Sequence, residues 1–262
     1  MEVFEALTNY YEAYDEENRL SSNHGKVEFL TTVRYIEKCL HLGMKVLEIG
    51  AGTGRYSHYF ARKGYEVDAV ELVQHNITVF KANTAPGEKV TIRQGNAADL
   101  SVLREEGYDI TLLLGPMYHL FTEEEKKKAL LEALRVTKKG GVLFVAYCMN
   151  EPTVIQFCFQ KGNIHNERYK ALIDFQTFKL SSTPAELFVL YRREEIDRLT
   201  GNLAVRRLHF VGTDMYTNYY REMVDSMDDD TFALYLQYHF AVCERTDMTG
   251  ISHHTLDVLR KE

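Results

Sequence analysis

Residues 46–56 read VLEIGAGTGRY. Gly50, Gly52 and Gly54 alternate with Ala51 and Thr53 directly after an apolar run, and Glu48 stands two positions ahead of the first glycine. Glycine lets the backbone turn tightly on itself, or lets it approach a ligand more closely than any side chain permits. A loop that reads a dinucleotide needs G-x-G-x-x-G, with the pyrophosphate against a helix N-terminus. Here the third position of that pattern is Arg55. An acidic residue at Glu48 is also unwelcome beside phosphates. The spacing suits a ligand with an amino acid end instead: its ammonium needs acceptors and its carboxylate needs N–H donors. Glu71 supplies a second carboxylate, able to accept from both hydroxyls of a ribose. In GNAADL (95–100), Asn96 or Asp99 offers a polar side chain to a base's amino group. His119, with Tyr118 beside it, is the candidate proton acceptor; capping or packing is its alternative role.

The elements that must position these residues follow from periodicity. Helical spacing of apolar residues runs over 3–20 and again over 26–42, where Gly43 stops it. VLEI (46–49), EVDAVEL (66–72) and KVTIRQG (89–95) read as strands, separated by helices over TGRYSHYFARKG and QHNITVFKANTA. YDITLLLG (108–115) and GVLFVAYC (141–148) are apolar almost throughout, as strands covered on both faces are. Thr122 and Glu125 form a capping box that opens a helix to about Lys138. Lys126-Lys127-Lys128 on that helix reads as a solvated face. Such alternation predicts an open, mostly parallel α/β sheet with helices on both faces.

The rhythm breaks at 149–192, a stretch rich in Phe and Tyr, and then resumes. A helix over 193–201, a strand over 205–212, a helix over 230–245 and a last strand over 253–261 complete the chain. The fold expected is one domain over 1–262 with seven strands, the last antiparallel, and an insertion after strand five. Asp228-Asp229-Asp230 reads as a helix N-terminal cluster, and His253-His254 as part of a strand edge, so no metal is expected.

The chain has 262 residues and a formal net charge of −7. A binder of nucleic acid through its phosphates is usually basic, so such partners are disfavoured. The N-terminus has no apolar core of a signal peptide and no stretch is apolar over a membrane's thickness. The four cysteines lack C-x-x-C spacing and read as reduced thiols, so the expected location is cytoplasmic.

E48-I-G-A-G-T-G54, Glu71, G95-N-A-A-D-L100, the LGPMYHL that follows strand four and the K138-K-G-G-V-L-F144 that leads into strand five together resemble the class I S-adenosylmethionine-dependent methyltransferases, a Rossmann-like family. The resemblance covers roughly 26–148 and resumes from 193, where strands six and seven would form a reversed hairpin edge. It implies S-adenosylmethionine as cofactor and S-adenosylhomocysteine as product. It places Gly50, Ala51, Gly52, Thr53 and Gly54 against the methionine portion, with Glu48 near the ammonium or ordering the loop. It gives Glu71 to the ribose, Leu72 to the adenine face, and Asn96, Ala97 and Asp99 to the adenine edge. The family pattern has Asp where Asn96 stands. Leu114 and Gly115 would line the cofactor near the departing methyl.

Methyl transfer from a sulfonium is an in-line displacement that depends chiefly on alignment. Tyr118 and Tyr147 are then candidate walls of an acceptor pocket, and His119 its candidate base. The N-terminal segment 1–25 either folds over the cofactor mouth, with Tyr11 and Tyr14 closing it and Arg19 reaching a carboxylate, or docks on the sheet. The insertion 149–192 either forms a lid or a dimerisation surface; loops at this end of a sheet carry function. The acceptor expected is a small or medium organic molecule, on a monomer or homodimer. A tRNA or protein acceptor, and a non-catalytic cofactor-binding subunit, remain the alternatives.

Overall fold

The alternating apolar runs fold into parallel strands in a computed structural model that describes residues 3–14 and 16–262. The strands are β1 (Lys45–Ile49), β2 (Glu66–Glu71), β3 (Val90–Gln94), β4 (Tyr108–Leu113) and β5 (Thr137–Met149). A two-residue hairpin, β6 (Ile173–Asp174) with β7 (Lys179–Leu180), and the short β8 (Leu190–Tyr191) lie in the insertion. β9 (Val205–Gly212) and β10 (His254–Lys261) follow. The sheet runs β3-β2-β1-β4-β5-β10-β9, with β8 beside the end of β5. β10 is antiparallel to both its neighbours, and the β1, β2, β3, β4 and β5 pairings are parallel. The expected seven strands and reversed last strand are present; β8 adds an eighth.

The helices are α1 (Val3–Ala13), α2 (Asn23–Glu37), α3 (Arg55–Arg62), α4 (Gln74–Asn83), α5 (Glu123–Val136), α6 (Asn150–Thr153), α7 (Glu167–Lys170), α8 (Arg193–Thr200), α9 (Arg221–Asp225) and α10 (Asp229–Val242). Successive strand residues project to opposite faces, and the two layers of the core show it. Leu47 and Leu113 join Ala129 and Leu130 of α5 and Ile196 of α8. Val46, Ile110 and Leu112 join Val33 and Ile36 of α2 and Phe60 of α3. Helices therefore cover both faces of the sheet.

Three local expectations change. The first helix stops at Ala13, and Asp15 lies outside the described residues. The helix opened by Thr122 ends at Val136, not near Lys138, and the chain passes directly into β5. Gly140 takes a positive φ of 77° inside that strand, where the β4–β5 register shifts, so the glycine pair makes a bulge rather than a helix stop. Lys126 is buried, with its ammonium 5.2 Å from the Tyr191 ring centre, while Lys127 and Lys128 are exposed. The capping box and the Asp228 cap of α10 form as expected, with Asp228 accepting from the Thr231 N–H.

Candidate functional site

In an open parallel sheet, ligands bind outside the carboxyl ends of the strands where the strand order reverses. Here the reversal lies between β1 and β4. Register levels their ends: Ile49 pairs with Val70 on one side and Leu113 on the other. The glycine loop, Glu71 and Leu114 consequently emerge together. A cavity of about 570 Å³ opens there, a volume typical of small-molecule sites.

The three glycines do different things. A Cβ on Gly50 would lie 2.6 Å from the Pro116 ring, and one on Gly54 would lie 2.5 Å from Phe80 and 2.7 Å from His58. These two allow close packing. Gly52 has φ of 53°, and a Cβ there would meet only Glu16, at 3.6 Å; it faces the cavity. Gly50, Ala51, Gly52 and Thr53 line the cavity, but Gly54 is set behind it. The loop's N–H groups turn inward: Gly50 and Ala51 both donate to Val70 O, and Gly52 donates to Glu71 Oε2 at 2.8 Å. These donors are not presented to a ligand carboxylate. Arg55, which sequence reasoning used only to reject a dinucleotide, lines the same cavity with its guanidinium 4.8 Å from the Phe29 ring centre.

The two glutamates also part company. Glu71 ends β2 and accepts from Gly52 N–H and Val73 N–H, each at 2.8 Å. Burial raises its carboxyl, and those backbone donors oppose the rise. Each oxygen retains capacity for a further hydrogen bond, and the residue lines the cavity. Asn76, also in the wall, has a buried Oδ1 without a partner among the described residues. A carboxylate beside an orphaned amide oxygen fits a ligand that brings hydroxyl donors. Glu48 is largely buried at the cavity wall and accepts from the Ser57 N–H at 2.9 Å and from the Ser57 hydroxyl. Burial pushes its carboxyl up to about 8. Glu48 thus tethers the first turn of α3 through Ser57 while lining the cavity.

Leu72, Asn96, Ala97, Leu114 and Gly115 all reach the cavity wall. Asn96 folds its Oδ1 onto the Ala98 N–H at 2.9 Å, an Asx turn that shapes the rim. Asp99 does not belong to the wall: it is exposed and accepts from the Ser101 N–H at 3.1 Å. Its carboxylate serves the next turn, which is why a polar residue was needed there.

His119 follows β4 on a short turn and is buried. Its Nδ1 lies 2.9 Å from Leu187 O, so that nitrogen carries the proton and donates. Its Nε2, 3.0 Å from the Tyr11 hydroxyl, then accepts. Burial pushes its pKa down to about 4. The ring is neutral near pH 7 with its lone pair engaged, a poor arrangement for a base and a good one for joining β4, α1 and the insertion. Phe188 packs against Tyr118, His119 and Tyr10.

A second cavity of about 410 Å³ shares Tyr11, Glu16, Arg19 and Tyr118 with the first. Tyr14 lines this second space only. Arg19 bridges Glu16 at 3.1 Å and Glu28 at 2.9 Å. Tyr147 is not in either wall: it is fully buried against Tyr191, because its strand position points into the core layer beneath. Arg221, which sequence reasoning did not single out, and His254, read there as part of a strand edge, complete the far side. His254, Asp214 and Glu28 bring ligand-type atoms within 4.8 Å of one another. Asp214 is saturated, however, accepting from Ser252 and His254 N–H on Oδ1 and from His254 Nδ1 and Asn218 on Oδ2. Burial opposes a charged His254, yet Glu28 and Asp214 outweigh it and hold its pKa well above the usual histidine value. The trio is an ion-paired brace.

A family model described as "Methyltransferase domain" matches residues 47–145. A demethylmenaquinone methyltransferase from Renibacterium salmoninarum is 34% identical over 104 residues, 40% of this chain and 41% of that protein. An S-adenosyl-L-methionine-dependent Diels-Alderase from Talaromyces variabilis is 29% identical over 107 residues, 39% of this chain and 35% of that one. The chain thus spans about two fifths or less of the length of these curated relatives. Among solved structures, a Pyrococcus horikoshii protein aligns with TM-score 0.64 at 14% identity, covering 97% of this chain and 99% of that one. Magnesium protoporphyrin IX methyltransferase from Synechocystis, solved with S-adenosylhomocysteine bound, aligns with TM-score 0.61 at 11% identity over 100% of both chains. The structural likenesses concern the fold.

Proposed function

We propose that the chain, whose residues 47–145 belong to the class I S-adenosylmethionine-dependent methyltransferases, transfers a methyl group to a small or medium organic acceptor. One observation carries this reading: a cofactor-sized cavity at the switch point shares a wall of Tyr11, Glu16, Arg19 and Tyr118 with a second cavity. The shared lining sets the two cavities side by side, and holding two reactants next to each other at a fixed orientation is the main requirement of an in-line displacement. When bound, S-adenosylmethionine supplies the activated methyl on its sulfonium.

The chain's own residues do the rest. Glu71 and Asn76 hold the ribose hydroxyls, Leu72 and Ala97 flank the adenine, and Asn96 lies at its edge. Gly52 lets the methionine portion approach the loop. Arg55 takes the cofactor carboxylate, since the N–H groups of Gly50, Ala51 and Gly52 are occupied. Glu16 accepts the acceptor's proton where one must leave; it stands in the shared wall and burial raises its carboxyl, with Arg19 opposing. His119 positions and does not titrate. Residues 1–25 act as a cap and 149–192 as a lid within one domain over 1–262. The N-terminal part of that reading is supported by α1, which lends Val3, Phe4, Leu7 and Tyr11 to the cavity wall.

The net charge of −7 favours a small acceptor over nucleic acid. Four free thiols suit the cytoplasm, and no helix among the described residues is long and apolar enough to cross a membrane. Either a monomer or a homodimer satisfies the site, which one chain completes. A second reading, cofactor binding without methyl transfer, is favoured by the Diels-Alderase relative.

Calorimetry with S-adenosylmethionine and S-adenosylhomocysteine tests the first step, and no binding at millimolar ligand rejects it. Glu71→Ala should weaken binding by roughly tenfold or more, the scale of lost hydrogen bonds to a charged group. Labelled methyl entering the small-molecule fraction of an extract supports the acceptor class; label in RNA or protein overturns it. Binding with no labelled product favours the second reading.

A further inference from the structure

The second cavity holds an unused guanidinium. Arg221 opens the short helix α9 and lines the chamber. Its Nε donates to Asn218 Oδ1 at 2.8 Å. Asn218 in turn donates from Nδ2 to the buried Asp214 at 2.5 Å, and Asp214 is fixed by Ser252 and His254. This chain of contacts orients the guanidinium plane from behind. No carboxylate among the described residues pairs with it: Asp225, on the same helix, is engaged by His24 through both its backbone N–H and its ring. Two terminal nitrogens with four N–H donors remain. A fork of that kind fits a carboxylate with two parallel hydrogen bonds.

The carboxylates of the chamber are otherwise engaged. Glu16 and Glu28 pair with Arg19. Ser22, His24, Asn218 and His254 also line the chamber, and one part of its wall is aromatic. Tyr10 stacks on Tyr14 with ring centres 5.0 Å apart, Tyr10 meets Phe188 edge-on at 5.9 Å, and Tyr118 lies 5.8 Å from Phe188. Such rings favour a planar aromatic guest by offset or edge-to-face contact. The ring wall adjoins the side shared with the cofactor cavity, through Tyr11 and Tyr118, while Arg221 is exposed at the chamber's rim.

We propose that the methyl acceptor is an aromatic carboxylic acid, its carboxylate held by Arg221 and its ring by the Tyr10, Tyr14, Tyr118 and Phe188 cluster. The inference rests on the methyltransferase reading above and adds the acceptor's chemical class. The acceptor is held by the end remote from the methyl, so Arg221 binds and the shared wall aligns.

The test uses the full chain saturated with S-adenosylhomocysteine, whose own binding is recorded first. Failure of that binding counts against the methyltransferase reading and not against the acceptor class. Three probes are then titrated: para-hydroxybenzoate, its neutral amide, and cyclohexanecarboxylate. The hydroxybenzoate should bind roughly ten- to a hundredfold tighter than the amide, the span of charge-assisted hydrogen bonds. It should also bind a few-fold or more tighter than the non-aromatic acid, on the scale of about 1 kcal/mol for ring contacts. Arg221→Gln should remove the preference for carboxylate over amide and leave S-adenosylhomocysteine affinity unchanged, which also reports that the variant is folded. Arg221→Lys should restore part of it. Equal binding of acid and amide, an unchanged preference in Arg221→Gln, or no probe binding at millimolar concentration each overturns the proposal.

Discussion

Glu48 and Glu71 are both acids at strand ends beside the glycine loop, and the difference between them is decided by their hydrogen bonds. Glu71 meets two backbone N–H groups, one on each oxygen; Glu48 meets a hydroxyl and an N–H on one oxygen only, and is more deeply buried. Desolvation therefore dominates at Glu48 and pushes it from 4.5 to about 8. The folded chain holds this proton across that window while the unfolded chain releases it. The group's contribution to stability is complete below about pH 4.5 and is lost as pH rises through about 8. Glu48→Gln keeps an acceptor for Ser57 and removes the titration. The stability of the variant relative to the parent should therefore rise with pH between these limits, by up to roughly a few kcal/mol. Thermal melts at several pH values read this directly, and a pH-independent difference would remove the neutral-acid assignment.

At the scale of elements, His119 is where α1, the turn after β4 and the insertion meet. Its ring stays neutral down to about pH 4, so the Tyr11 hydroxyl contact holds across the working range. Tyr11→Phe should leave the sheet intact and loosen α1. Amide exchange over residues 3–13 should speed up, and S-adenosylhomocysteine should dissociate roughly two- to tenfold faster, the worth of one neutral hydrogen bond. Exchange and dissociation both unchanged would show that α1 is held by packing alone. The strands, their order of appearance and the loop between β1 and α3 were legible in the sequence, because buried parallel strands are nearly continuous apolar runs and the loop's glycines are local. The joints between elements were not. The Tyr11–His119 contact links residues 108 positions apart and the His119–Leu187 contact 68, and no spacing rule reaches that far. Tyr147 and Asp99 lie outside both cavity walls, for the related reason that strand alternation and turn chemistry are read only approximately from one sequence.

For the whole molecule, the adjacent pair His253-His254 shows how one fold assigns opposite charge states to two identical side chains. His254 turns to Asp214 and Glu28 and is held charged. His253 has a buried Nε2 without a partner among the described residues, and burial pushes its pKa down to about 4, as at His119 and His239. Unfolding lets these three rings bind protons between about pH 4 and the ordinary value of 6.5. In that interval the unfolded state holds more protons, so their contribution to stability falls as the solution is acidified. His254 works in the other direction: its contribution is complete below 6.5 and is lost as pH rises through its elevated folded value. Stability from the histidines should consequently peak near 6.5. His253→Gln should flatten the acid limb by about one proton while leaving the alkaline limb in place, and His254→Gln should do the reverse. Denaturant titrations across pH 4–9 separate the two, and identical effects of both substitutions would mean that the pair is not divided in this way.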